Sequence, residues 1–149
     1  MTKRSQEEYY KESKRIRKEV MQQADLLKGN PMRFTITNGI TMDVEITKSD
    51  LKTIVSKASS DNKFNAIKNA LAKDIHSYLQ KSEYIGWRET EEGKHSESAY
   101  FAYFDRKLGV RTILVMRKMK NGGPYKPYAI IDQYSFGANI GELKQGTPP

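Results

Sequence analysis

The sequence predicts an α+β fold in which N-terminal helices and a β-hairpin pack on a four-stranded antiparallel β-sheet. Residues 99–105, 110–118 and 125–132 form three runs rich in aromatic and β-branched residues, broken by Gly109 and by Asn121-Gly122-Gly123-Pro124. That composition belongs to strands joined by turns. Upstream, apolar residues recur at helical spacing in several segments, and one stretch alternates around Asn38-Gly39. The organisation expected is an amphipathic helix over residues 1–30, an α+β domain over 31–134 and a tail over 135–149 that is loosely ordered at its end.

The three-strand meander has unlike faces. Alternation along its middle run puts Val110, Thr112, Leu114 and Met116 on one side, and Arg111, Ile113, Val115 and Arg117 on the other. With residues 106–109 as the loop, Asp105 faces Val110, Tyr100 faces Val115 and Phe101 faces Leu114. On this register one face is buried against helices, while the other offers Tyr100 and guanidinium groups to an anion.

The remaining elements follow in chain order. Residues 5–28 are charge-rich, with Tyr9, Ile16, Val20 and Leu27 at sevens and fours, and Gly29-Asn30-Pro31 ends the helix. Its mixed charges suit a helix lying along its own domain better than a docking arm. Residues 32–37 and 40–47 flank Asn38-Gly39, the pair suited to a two-residue type I′ turn, and read as a hairpin covering the edge of the core. Thr47-Lys48-Ser49-Asp50 forms a capping box that starts a short helix at Lys48 and turns Leu51, Ile54 and Val55 inward. A single second helix over 62–81 carries Phe64, Ile67, Leu71, Ile75 and Tyr78 on one stripe. Residues 84–89 supply the fourth strand, which brings Arg88 to the face of Arg111, Arg117 and Tyr100.

Charge and composition narrow the chemistry. Lys and Arg number 26 against 18 Asp and Glu, a net charge of +8, which favours a polyanion such as RNA or an acidic protein. There is no cysteine, so disulfides, thiolate nucleophiles and cysteine-ligated zinc are excluded. The N-terminus lacks the apolar core of a signal peptide, and no run has transmembrane length. A cytoplasmic protein, or one delivered into a target-cell cytoplasm as part of a larger effector, is the corresponding expectation. The phosphate-binding GxxxxGK[ST] loop, the GxSxG elbow and HExxH are missing. Asp132 followed by Glu142-Leu143-Lys144 echoes the Asp, then Glu-x-Lys order of metal-dependent nucleases, but glycines flank it and it lacks a strand pattern.

RNA hydrolysis needs no metal, because the 2′-hydroxyl is a built-in nucleophile and the protein need supply only a base, an acid and cations. His95 exchanges protons near neutrality. Arg88, Arg111 and Arg117 pair with phosphate oxygens, with Lys57 and Lys118 as assisting cations. Tyr100, Tyr125 and Tyr128 stack on bases or bond to phosphate. Each also has a plainer role: His95 as a solvated loop residue, the strand-end arginines snorkelling to water, Arg88 paired with the acids at 89–92, and Tyr100 in the core. No cofactor or metal is called for on this reading.

Ile46-Thr47-Lys48 before a short helix ending Val55-Ser56-Lys57, then a second helix, Tyr100-Phe101, a strand closing Met116-Arg117-Lys118, and residues 128–132 together resemble a known class. They are similar to the nuclease-like domains at the ends of large polyvalent phage and conjugative-element proteins. Those are grouped with barnase, EndoU, colicin and RelE-type ribonucleases. The resemblance implies metal-independent RNA cleavage through a 2′,3′-cyclic phosphate, as a toxin or effector. It carries Ser56, Lys57, Tyr100 and Arg117 across as site positions. The competing expectation is a catalytically inactive module of a phage or mobile-element protein, binding nucleic acid or an acidic immunity or antitoxin protein.

Overall fold

The computed structural model describes residues 5–37, 39–89, 95–120, 122–133 and 142–149, without the side chains of His95 and Ser96. Helix α1 (Gln6–Asp25) opens on Ser5, whose hydroxyl accepts from the Glu8 amide at 3.2 Å. It buries Tyr9, Ile16, Val20 and Ala24 and packs along its own domain. Strands β1 (Met32–Ile36) and β2 (Met42–Ile46) form the hairpin. Helix α2 (Lys48–Ser56) begins at the expected capping box: the Asp50 amide donates to Thr47 Oγ1 at 3.3 Å and the Thr47 amide to Asp50 Oδ2 at 2.8 Å.

The hairpin departs from expectation in register. Ile36 pairs with Met42, where a two-residue turn at 38–39 would pair it with Thr41. Burial decides this. Phe34 opposite Val44 and Ile36 opposite Met42 bring the apolar residues to one face, whereas a slip of one residue would split them between two faces. Asn38 of the expected turn lies outside the described residues.

The second helical stretch is two helices, α3 (Asn62–Lys73) and α4 (Ile75–Lys81), broken at Asp74 with φ −122 and ψ 48. The break frees the Lys73 carbonyl, and Gln23 Nε2 of α1 donates to it at 3.0 Å. It also lets Ile75, Tyr78 and Leu79 turn into the core, where the Tyr78 hydroxyl lies 2.7 Å from Thr112 Oγ1.

Strands β3 (Glu83–Glu89), β4 (His95–Asp105), β5 (Val110–Met119) and β6 (Tyr125–Asp132) are successively antiparallel. Asp105 faces Val110, Tyr100 faces Val115 and Phe101 faces Leu114, the register expected. The sheet is nevertheless six-stranded and mixed, in the order β1-β2-β6-β5-β4-β3, because Val44 of β2 pairs in parallel with Tyr125 of β6. The hairpin extends the sheet instead of covering its edge. The helices bury Ala99, Phe101, Leu114, Met116, Tyr125 and Ile130 on one face.

The opposite face is not open. Tyr100, Ile113, Val115 and Leu143 form a second apolar cluster there, with Ile85, Ala102 and Ile131 packed against it. Leu143 arrives from the C-terminal segment, where Lys144 pairs antiparallel with Trp87 and the Gly146 carbonyl accepts from the Trp87 indole at 2.9 Å. The described part of the tail is therefore fastened to β3. No helix among the described residues is long and apolar enough to cross a membrane.

Candidate functional site

Three elements meet at Tyr128. Strand β6 has an irregularity here: Ala129 pairs with Val115 and Pro127 with Met116, so Tyr128 is the extra residue of a bulge. A bulge re-aims its side chain, and Tyr128 is 40% exposed among buried neighbours. The Arg117 guanidinium carbon, near the end of β5, lies 3.5 Å from the centre of the Tyr128 ring. The Lys57 ammonium, just past α2, lies 4.3 Å from the same centre. A cation over a tyrosine face is held by the ring quadrupole. Arg117 Nε is buried without a hydrogen-bond partner among the described residues, so the stack on the ring is the contact that places this guanidinium.

Beneath this cluster, Lys68 of α3 is only 2% exposed. Its ammonium donates to the carbonyls of Ile54, at 2.9 Å, and of Lys57. These are carbonyls at the end of α2 that the helix leaves free, so the bonds fix where the helix stops and where Lys57 points. Burial, followed by the charges of Arg17 and Lys57, pushes the Lys68 ammonium down to about 8. Lys68 falls four residues after Phe64 and three before Leu71, inside the apolar stripe. That spacing is the signal by which it could have been singled out.

The structure thus brings Lys57, Arg117 and Tyr128 to one place, leaves Ser56 in the lining of a groove along α2, and disperses the other nominated residues. Lys118 lies over the ring of Tyr125 at 5.7 Å and pairs with Glu97 at 3.8 Å. Tyr125 itself is buried, so its ring is closed to a base. Arg88 lies 5.3 Å from the Tyr100 ring on the face away from the helices. Tyr100, expected on an open surface, is 2% exposed within the cluster that holds Leu143. Arg111 is at the other end of β5, 5.6 Å from Phe104. His95 begins β4 opposite Met119, two residues beyond Arg117, and its side chain lies outside the described residues. Lys144 of the Glu-x-Lys order bonds Glu89 at 3.2 Å and lies over Trp87.

No protein-family model matches the chain, and neither the curated proteins nor the solved structures include a match to it.

Proposed function

We propose that this is a ribonuclease-like α+β domain that binds single-stranded RNA across Lys57, Arg117 and Tyr128. The observation that carries the reading is two cations from different elements, the Arg117 guanidinium and the Lys57 ammonium, set over one exposed tyrosine ring. Two cations held over an exposed tyrosine are equipment for a backbone phosphate of an unpaired strand. The net charge of +8 supplies long-range attraction. The resemblance to the barnase, EndoU, colicin and RelE group adds to this, since Ser56, Lys57 and Arg117 are among the positions it nominates.

A second reading, cleavage of the bound strand, is favoured by where β4 starts. The His95 backbone lies at the same end of the sheet as Arg117. Base removal of the 2′-hydroxyl proton would let that oxygen attack phosphorus, with the bond to the 5′ oxygen breaking and that oxygen taking up a proton. A toxin or effector role, and inhibition by an acidic immunity protein, belong to this reading.

Two assays separate the readings. Anisotropy of labelled single-stranded RNA should show salt-sensitive binding that Arg117→Ala and Tyr128→Ala each weaken by roughly tenfold, with thermal melts close to that of the parent. Unchanged affinity in both variants would remove the binding reading. Incubation in excess chelator, followed by end analysis, decides cleavage: 2′,3′-cyclic phosphate ends lost in His95→Ala support it, and intact RNA leaves a binding module.

A further inference from the structure

Helix α2 presents a second surface that the site above does not use. Between its outer face and the turn after α1 lies a groove of about 760 Å³. Leu27, Pro31 and Thr53 line it together with four lysines, Lys28, Lys48, Lys52 and Lys57. No acidic side chain among the described residues lines it. The nearest counter-charge is Asp25, whose carboxylate takes Lys48 at 2.8 Å and Lys52 at 3.5 Å. Four lysines less one aspartate leave a net +3 around an apolar groove.

We infer that this groove holds the next nucleotides of the RNA strand bound at Arg117 and Tyr128. The inference rests on the function proposed above and adds a length requirement to it. Lys57 is the shared residue: it lines the groove and also lies over Tyr128. Nine residues of α2 separate it from Lys48, about 13 Å of helix, further than one phosphodiester reaches. A base suits the apolar surface of Leu27 and Pro31, while the phosphates on either side suit the lysines. An acidic peptide would satisfy the charge but leave no reason for Lys57 to join the groove to the tyrosine and guanidinium cluster. Asp25 orders Lys48 and Lys52 beforehand, which reduces the side-chain freedom lost when a strand enters.

The test compares a labelled diribonucleotide with a hexaribonucleotide over a range of salt. The hexamer should bind more tightly, with a steeper dependence on salt by about 0.7 for each additional phosphate held. Thr53→Trp, an exposed position that would fill the groove, should cost the hexamer roughly tenfold and leave the dimer unchanged. Lys28→Glu, an exposed residue outside the Tyr128 cluster, should lower the hexamer's salt slope by about 0.7 and leave that of the dimer unchanged. If Arg117→Ala weakens both RNAs but neither groove variant changes the hexamer, the groove is not the strand's path and the site proposed above survives. If Arg117→Ala changes neither RNA, that site fails and this inference fails with it.

Discussion

A neutral amine keeps two N–H bonds, enough for the carbonyls of both Ile54 and Lys57, and this governs how Lys68 answers to pH. Below about pH 8 the ammonium is charged in the folded and the unfolded chain alike, and the cost of burying it is fully present. As pH rises from there towards the ordinary lysine value of 10.5, the folded chain gives up the proton while the unfolded chain keeps it. The unfolded state then binds more protons, so this residue makes stability climb with pH. Tyr78 acts in the opposite sense: burial raises its phenol above the ordinary 10.0, and it contributes stability that is lost once the unfolded tyrosine ionises. Urea midpoints should therefore climb above pH 8 and fall above pH 10.0. Lys68→Met should lose the climb and keep the fall. Profiles of the same shape for both proteins would show that Lys68 is not buried as a charge.

At the scale of the element, the attachment of the C-terminal segment to β3 turns on Gly86. Its φ of 133 is a conformation that L side chains rarely adopt, and a Cβ there would sit 2.8 Å from both Leu143 Cβ and the Lys144 carbonyl oxygen. Gly86→Ala should cost about 2–4 kcal/mol in a denaturation experiment and should speed proteolysis after residue 141. A variant as stable as the parent would mean that the segment does not pack there. This attachment was hidden in the sequence, because a lone leucine among Gly, Lys, Gln and Pro gives no strand pattern. The capping box at Thr47 was legible, since it is a local bond pattern with a fixed spacing. So was the register of β4 against β5, because a four-residue loop and two alternating strands leave one pairing that keeps the apolar residues together. The break at Asp74 was not legible: the apolar stripe runs through it, and the reason to interrupt the helix is the sheet it must meet. The hairpin misled through Asn38-Gly39, a strong local turn signal overridden by the burial of Ile36 and Met42.

Over the whole molecule, the sheet works differently from the expected two-sided ribbon. The helices cover one face, and the other carries its own apolar cluster under Leu143. The candidate site lies instead at one end of the sheet, where the last residues of β5, the bulge of β6 and the exit of α2 converge. The sequence marked Arg117, Lys57 and Tyr128 separately, by residue type and by resemblance. It could not show that they meet, because their neighbourhood depends on a bulge and on Lys68 fixing the end of a helix. Arg88, Arg111 and Tyr100 share a face by alternation, but that face is partly filled by residues distant in sequence. The central claim, that single-stranded RNA lies across Lys57, Arg117 and Tyr128, is tested most directly by titrating a short unlabelled RNA into isotope-labelled protein and following amide shifts. The account predicts that the largest shifts fall at Lys57, Arg117 and Tyr128 and continue along α2. Shifts concentrated instead around Phe104 and Arg111, or none at saturating RNA, would contradict it.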